Sequence, residues 1–88
     1  MPAITVRLPA SLTAPQPPHD LSLEATTVRD AVDLVAAREP HLASRILYGD
    51  RPLVGFVLNG RQLPPSQALA TGLGDGDRLE LFPPVAGG

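Results

Sequence analysis

Apolar residues alternate in "AITVRL", where Ile4, Val6 and Leu8 share one side and Thr5 and Arg7 the other. A period of two predicts a strand with one buried face. "DLSLEA" repeats the pattern and places Leu21, Leu23 and Ala25 on a buried side. The segment between them, "PASLTAPQPP", is rich in proline, which restricts a loop and keeps it out of a sheet. The two strands therefore predict a hairpin with a long connection. In "TTVRDAVDLVAAREP" the period changes. Val28, Ala31, Val32 and Val35 follow helical spacing, with Asp30, Asp33 and Ala37 on the far side. Thr27 suits the N-cap, Asp30 suits the positive helix end, and Pro40 stops the helix by about Glu39.

"HLASRILYGD" predicts a short helical turn, with Leu42, Ile46 and Leu47 packing back on the core. "PLVGFVLNG" is the most apolar stretch and predicts a strand inside the sheet. Val54, Phe56 and Leu58 are expected on its core face, with Leu53 and Val57 pointing away. Asn59-Gly60 is a tight-turn pair that returns the chain into a short strand around Gln62. "PPSQALATGLGDGD" predicts a loop with one helical turn. Gly74 and Gly76, interleaved with Asp75 and Asp77, mark a turn before the last strand, "DRLELF". Leu79 and Leu81 are expected inside, so Phe82 points to the opposite face beside Val57 and Leu53. The order strand, strand, helix, strand, short strand, strand predicts one α+β roll: a mixed sheet of four to five strands on one main helix, the β-grasp order of ubiquitin. We expect this domain over 1–82 and a flexible tail over 83–88.

Eighty-eight residues with 43% apolar content suffice for one core. The net charge of −2 and the lack of a Lys/Arg cluster argue against nucleic acid. No apolar run reaches membrane length and no signal peptide is evident, so a soluble cytoplasmic protein is expected. Cysteine is absent, which excludes disulfides, thiolate metal sites and a cysteine nucleophile. Lysine is absent too, all seven cations being arginine. Two readings stand beside each other: a compositional bias toward arginine, or the removal of amines that would attack an activated carboxyl end.

Catalytic constellations are not found. His19 and His41 have no partners at metal-ligand spacing and are read as exposed and inert, and no metal site is expected. Asp75, Asp77 and Glu80 are better explained by turns and a solvated strand face than by acid/base chemistry. Ser11, Ser22, Ser44 and Ser66 lack a base. The glycines of "TGLGDGD" precede a strand and no lysine accompanies them, so they do not make a phosphate loop. An enzyme acting alone is not expected.

"LFPPVAGG" carries the remaining signal. Pro83 and Pro84 favour an extended chain that leaves the sheet, and the six residues from Pro83 to Gly88 reach about 19 Å at ~3.1 Å each. Val85 and Ala86 continue the tail. Gly87 and Gly88 have no Cβ to obstruct a narrow tunnel. A carboxylate at Gly88 is unreactive until its oxygen attacks the α-phosphate of ATP and forms a mixed anhydride. A sulfur nucleophile then displaces AMP and leaves a thiocarboxylate.

The segment "VLNGRQLPPSQALATGLGDGDRLELFPPVAGG" resembles the C-terminal part of the MoaD/ThiS sulfur carriers, which are ubiquitin-like proteins. The resemblance rests on Asn59 in the turn, on Asp75-Gly76-Asp77, on the apolar strand from Leu79 to Phe82, and above all on Gly87-Gly88. It implies a β-grasp fold and adenylation of Gly88 by an E1-like, MoeB/ThiF-like partner that uses ATP, with no cofactor bound by the chain itself. It also implies a sulfur donor and an acceptor synthase subunit, in molybdopterin synthesis or in cysteine or other sulfur-metabolite synthesis. Molybdopterin-synthase small subunits commonly carry Phe-Ala and then Arg-Glu after the first strand. Here "RLPASLTAPQ" stands in that place and is closer to the cysteine-synthase carriers, whereas the ending suits the molybdopterin carriers. A ubiquitin-like modifier joined to lysines through Gly88, or a plain interaction module, remain the alternatives. Phe82, with Val57, Leu53 and the tail from Pro83 to Ala86, is the expected partner-binding surface, because aromatic anchors often dominate binding.

Overall fold

In a computed structural model, residues 1–48, 51–64 and 66–82 are described. The elements run β1 (Ala3–Leu8), α1 (Ala10–Thr13), β2 (His19–Glu24), α2 (Val28–Arg38), a 3-10 turn (Pro40–Leu42) and α3 (Ala43–Ile46). Then follow β3 (Leu47–Tyr48), β4 (Arg51–Pro52), β5 (Gly55–Leu58), β6 (Arg61–Gln62), a second 3-10 turn (Ala68–Ala70) and β7 (Arg78–Phe82). The tail from Pro83 to Gly88 lies outside the described residues.

Five strands form one mixed sheet in the order β2-β1-β7-β5-β6. β1 and β7 are parallel at its centre, and the other pairs are antiparallel. Alternation does what the sequence predicts. Ile4, Val6, Leu8, Leu23, Phe56, Leu79 and Leu81 turn to one face, where Val28, Ala31, Val32 and Val35 of α2 close the core with them. Leu42 and Ile46 are also buried there. The Thr27 hydroxyl accepts the Asp30 N–H at 3.2 Å, a cap worth about 1 kcal/mol. Residues 71–73 fix the start of α2 from outside: Val28 N–H donates to Thr71 and Leu73 N–H donates to Thr26.

Three features depart from the expected layout. The proline-rich connection contains α1, which buries Leu12 and Thr13. Thr13 Oγ1 sits among the carbonyls of Gln16 (3.0 Å), Pro17 (3.2 Å) and Pro9 (3.3 Å), so its single proton always has an acceptor. Arg45 Nη1 donates to the Leu12 carbonyl at 2.8 Å and ties the loop to α3. Second, the apolar run "PLVGFVL" is not one strand. Pro52 pairs in the small β3–β4 ribbon, the chain bends at Leu53 and Val54, and the sheet strand begins at Gly55. Proline cannot donate to a central ladder, which accounts for the break. Leu21 and Leu58, expected inside, are half-buried at the core's margin.

The register of β7 is set at the end of the sheet away from the tail. Asn59 and Gly60 take φ of 52° and 83°, the left-handed pair that a two-residue hairpin turn requires. Asn59 Nδ2 donates to Asp77 Oδ1 at 3.0 Å, and Arg78 N–H donates to Asn59 Oδ1 at 2.8 Å. Asp77 Oδ2 accepts the Gly74 N–H, Asp75 Oδ1 accepts the Ala3 N–H at 2.9 Å, and Gly76 N–H donates to the Ala3 carbonyl. This clasp joins β1, the β5–β6 turn and β7. A slip of one residue in β7 would reverse both of its faces.

Candidate functional site

The face of the sheet opposite α2 carries the residues at the base of the tail. On β7 the outward set is Arg78, Glu80 and Phe82, because Leu79 and Leu81 are buried. The register places Phe82 across from Gly55, and Glu80 between Val57 on β5 and Arg7 on β1. A Cβ at Gly55 would overlap the Phe82 ring, so the ring covers that stretch of backbone. Val57 lies two residues further along the same face, diagonal to Phe82 rather than opposite it. Phe82 and Val57 are half-buried and stand outside the core cluster.

Leu53, expected in line with Val57, sits instead in the bend before β5 and is 39% exposed. Strand alternation therefore does not decide its direction. Gly55 was not anticipated as part of this surface. A glycine inside an apolar run marks a close approach by another group, and "LVGFV" carries that signal although Gly55 is the first residue of β5.

Charges of both signs flank the apolar spot. Arg7 Nη1 and Asp20 Oδ1 pair at 3.2 Å, and Arg78 Nε approaches Glu80 Oε1 at 3.7 Å. All four side chains are 40% exposed or more, and such pairs contribute about 0.2–1 kcal/mol each. They leave the face wet and mixed in charge around one aromatic ring.

His19 corrects the reading of it as exposed and inert. Its Nε2 lies 2.8 Å from Glu39 Oε1, and its Nδ1 lies 3.1 Å from the Pro17 carbonyl. The Pro17 carbonyl and then the Glu39 carboxylate raise its pKa from the ordinary 6.5. This pair links the start of β2 to the end of α2 and takes no part in the open face. Asp75 and Asp77 serve the clasp, as turn chemistry predicts; the hydrogen bonds from Gly74 and then Asn59 lower the Asp77 pKa. Among the described residues, no three His, Cys, Asp or Glu side chains gather as a metal would need. No helix among them is long and apolar enough to cross a membrane.

A five-stranded mixed sheet on one main helix, with an aromatic ring at the exit of its last strand, defines a ubiquitin-like β-grasp protein. Residues 10–88 match the ThiS family, and the chain belongs to it. A relative in Archaeoglobus fulgidus named as a sulfur carrier protein is 33% identical over 89 residues, covering 98% of this chain and 99% of that one. The solution structure of small archaeal modifier protein 1 from Methanosarcina acetivorans superposes with a TM-score of 0.79 at 26% identity, covering 100% of this chain and 98% of that one. A chain in the crystal structure of the Amycolatopsis orientalis BexX/CysO complex gives a TM-score of 0.76 at 25% identity over 98% and 100% of the two chains.

Proposed function

We propose that this chain is a sulfur carrier whose working group is the carboxylate of Gly88. An E1-like adenylating enzyme transfers AMP from ATP to the carboxylate and releases pyrophosphate. A sulfur donor then displaces AMP, and the resulting thiocarboxylate delivers its sulfur to an acceptor synthase subunit. The carrier contributes presentation rather than catalysis. The clasp at Asn59 and Asp77 holds β7 in register, β7 aims Phe82 at the open face, and the tail continues from that point.

One observation carries the reading: the family match spans residues 10–88 and so takes in Gly87 and Gly88. The sulfur-carrier name of the full-length Archaeoglobus fulgidus relative supports it. A protein partner for the acceptor step is supported by the neighbour solved in complex with BexX. Phe82, Val57 and Leu53, with Pro83, Pro84, Val85 and Ala86, form the proposed contact surface for these partners. A second reading, conjugation of Gly88 to amines of target proteins, is supported by likeness to the small archaeal modifier protein.

Mass spectrometry after incubation with the cognate activating enzyme, ATP and a sulfur donor separates the two. Replacement of one oxygen by sulfur at the terminus supports the carrier. Adducts on other proteins support the modifier, and an unchanged mass refutes both.

A further inference from the structure

β2 is an outer strand of the sheet, and among the described residues no strand pairs with its other side. Ala25 N–H donates to the Pro2 carbonyl, and Ala3 stands across from Glu24. In an antiparallel pair the bonded positions alternate, so His19, Leu21 and Leu23 bond to β1. The N–H and C=O groups of Asp20, Ser22 and Glu24 therefore point away from the sheet. The opposite side of β1 agrees, because Thr5 N–H donates to Asp77.

One of these outward groups is covered. Arg38, in the last turn of α2, reaches round the edge and donates from Nη1 to the Ser22 carbonyl at 2.9 Å. Among the described residues Arg38 has no carboxylate partner. Beside it lies a groove of about 540 Å³, lined by residues 3–5 of β1 and by Ser22, Leu23, Glu24, Leu34 and Arg38. Leu34, on the outer side of α2, is exposed.

We propose that this edge receives an extended, acidic segment of a partner protein as an added strand, and that Arg38 is the gate. An arriving backbone N–H takes the Ser22 carbonyl, and the displaced guanidinium swings to a carboxylate of the segment. A hydrogen bond between an ion and a neutral carbonyl is thus exchanged for a neutral backbone bond plus a charge-assisted pair. Ladder bonds supply affinity, and alternate side chains supply selectivity, one lying against Leu34. Charge fixes the register. Asp20 is already paired with Arg7, and among the described residues Glu24 has no cationic partner, so the segment's acid belongs at the Ser22–Arg38 level and away from Glu24. This site is independent of the tail's chemistry.

The test uses the full chain and three end-blocked octapeptides of alternating valine and threonine, which differ at one central position: glutamate, glutamine or lysine. Backbone amide shifts are read during titration. Shifts are expected at Asp20, Ser22 and Glu24 and at Leu34 and Arg38, with the glutamate peptide binding about tenfold tighter than the lysine peptide. Arg38→Ala, on an exposed helix surface, is expected to level the three affinities. Ser22→Pro removes an outward N–H without touching the ladder to β1, and is expected to abolish binding; if that variant fails to fold, Arg38→Ala still decides. Absence of shifts up to about 1 mM peptide, the weak end of specific binding, overturns the proposal. So do shifts confined to the Phe82 face, equal affinities for all three peptides, or edge shifts that follow protein concentration alone, which would assign the edge to a second copy of this chain.

Discussion

The ring of Phe82 covers the backbone of Gly55, and it does so because the register pairs these two residues across β5 and β7. The contact is on the open side of the sheet, one residue from the start of the tail. Gly55→Ala puts a methyl group where the ring lies. The expected loss is about 1–3 kcal/mol, as for other overpacked sites. Adding Phe82→Ala to Gly55→Ala should restore part of it, and thermal unfolding of both single variants and the double variant reads the coupling.

Phe82→Ala alone is expected to act mainly on association. The side chain is half-buried and lies outside the core cluster, unlike Phe56, whose truncation should cost about 3–5 kcal/mol. We expect Phe82→Ala to weaken binding to the activating enzyme more than it lowers thermal stability. A large fall in melting temperature with unchanged binding would return Phe82 to a purely structural role.

Stability should fall in acid through Asp77. Its folded pKa is depressed by the Gly74 and Asn59 hydrogen bonds. The contribution is therefore present above the unfolded value of 3.8 and lost as pH drops through the folded one. Denaturant midpoints measured from neutral pH downward should decline less steeply for Asp77→Asn, from a lower starting point. Asn59→Ala should also lower stability at neutral pH, because it removes two side-chain bonds across the clasp.

His19 gives the opposite slope. Its pKa is raised by the Pro17 carbonyl and by Glu39, so the bonded imidazolium contributes fully below 6.5 and the contribution disappears as pH rises through the folded value. The pair is partly exposed, with 35% and 22% of the two side chains accessible, which keeps the effect modest. His19→Gln should flatten this part of the stability profile. An NMR titration of His19 with a pKa at or below 6.5 would contradict it.

Deleting Gly87 and Gly88 should leave the thermal transition unchanged and abolish thiocarboxylate formation. Far-UV circular dichroism and intact-mass measurement on the same sample read both.

Strand alternation and the helical spacing of Val28, Ala31, Val32 and Val35 were enough to read the sheet, the main helix and the direction of Phe82, since each obeys one period. What was not legible depends on groups distant in sequence. α1 has only four residues inside a run of prolines, too short for any period. The Asn59–Asp77 bond spans eighteen residues and His19–Glu39 spans twenty, so the sequence shows Asn59 and Asp77 only as turn residues and His19 only as a lone imidazole. Leu53 lies in a bend that strand alternation does not cover, because hydrophobicity does not register a backbone bend, although Pro52 beside it is a warning.

The last strand lies between the first and the fifth, parallel to the first. A nascent chain stalled before Arg78 therefore has two half-sheets and no middle, with Ile4, Val6 and Phe56 lacking their central neighbours. Closure of the fold waits on late synthesis, so truncated products should be poor competitors for the enzymes that handle the finished protein and ready substrates for proteases.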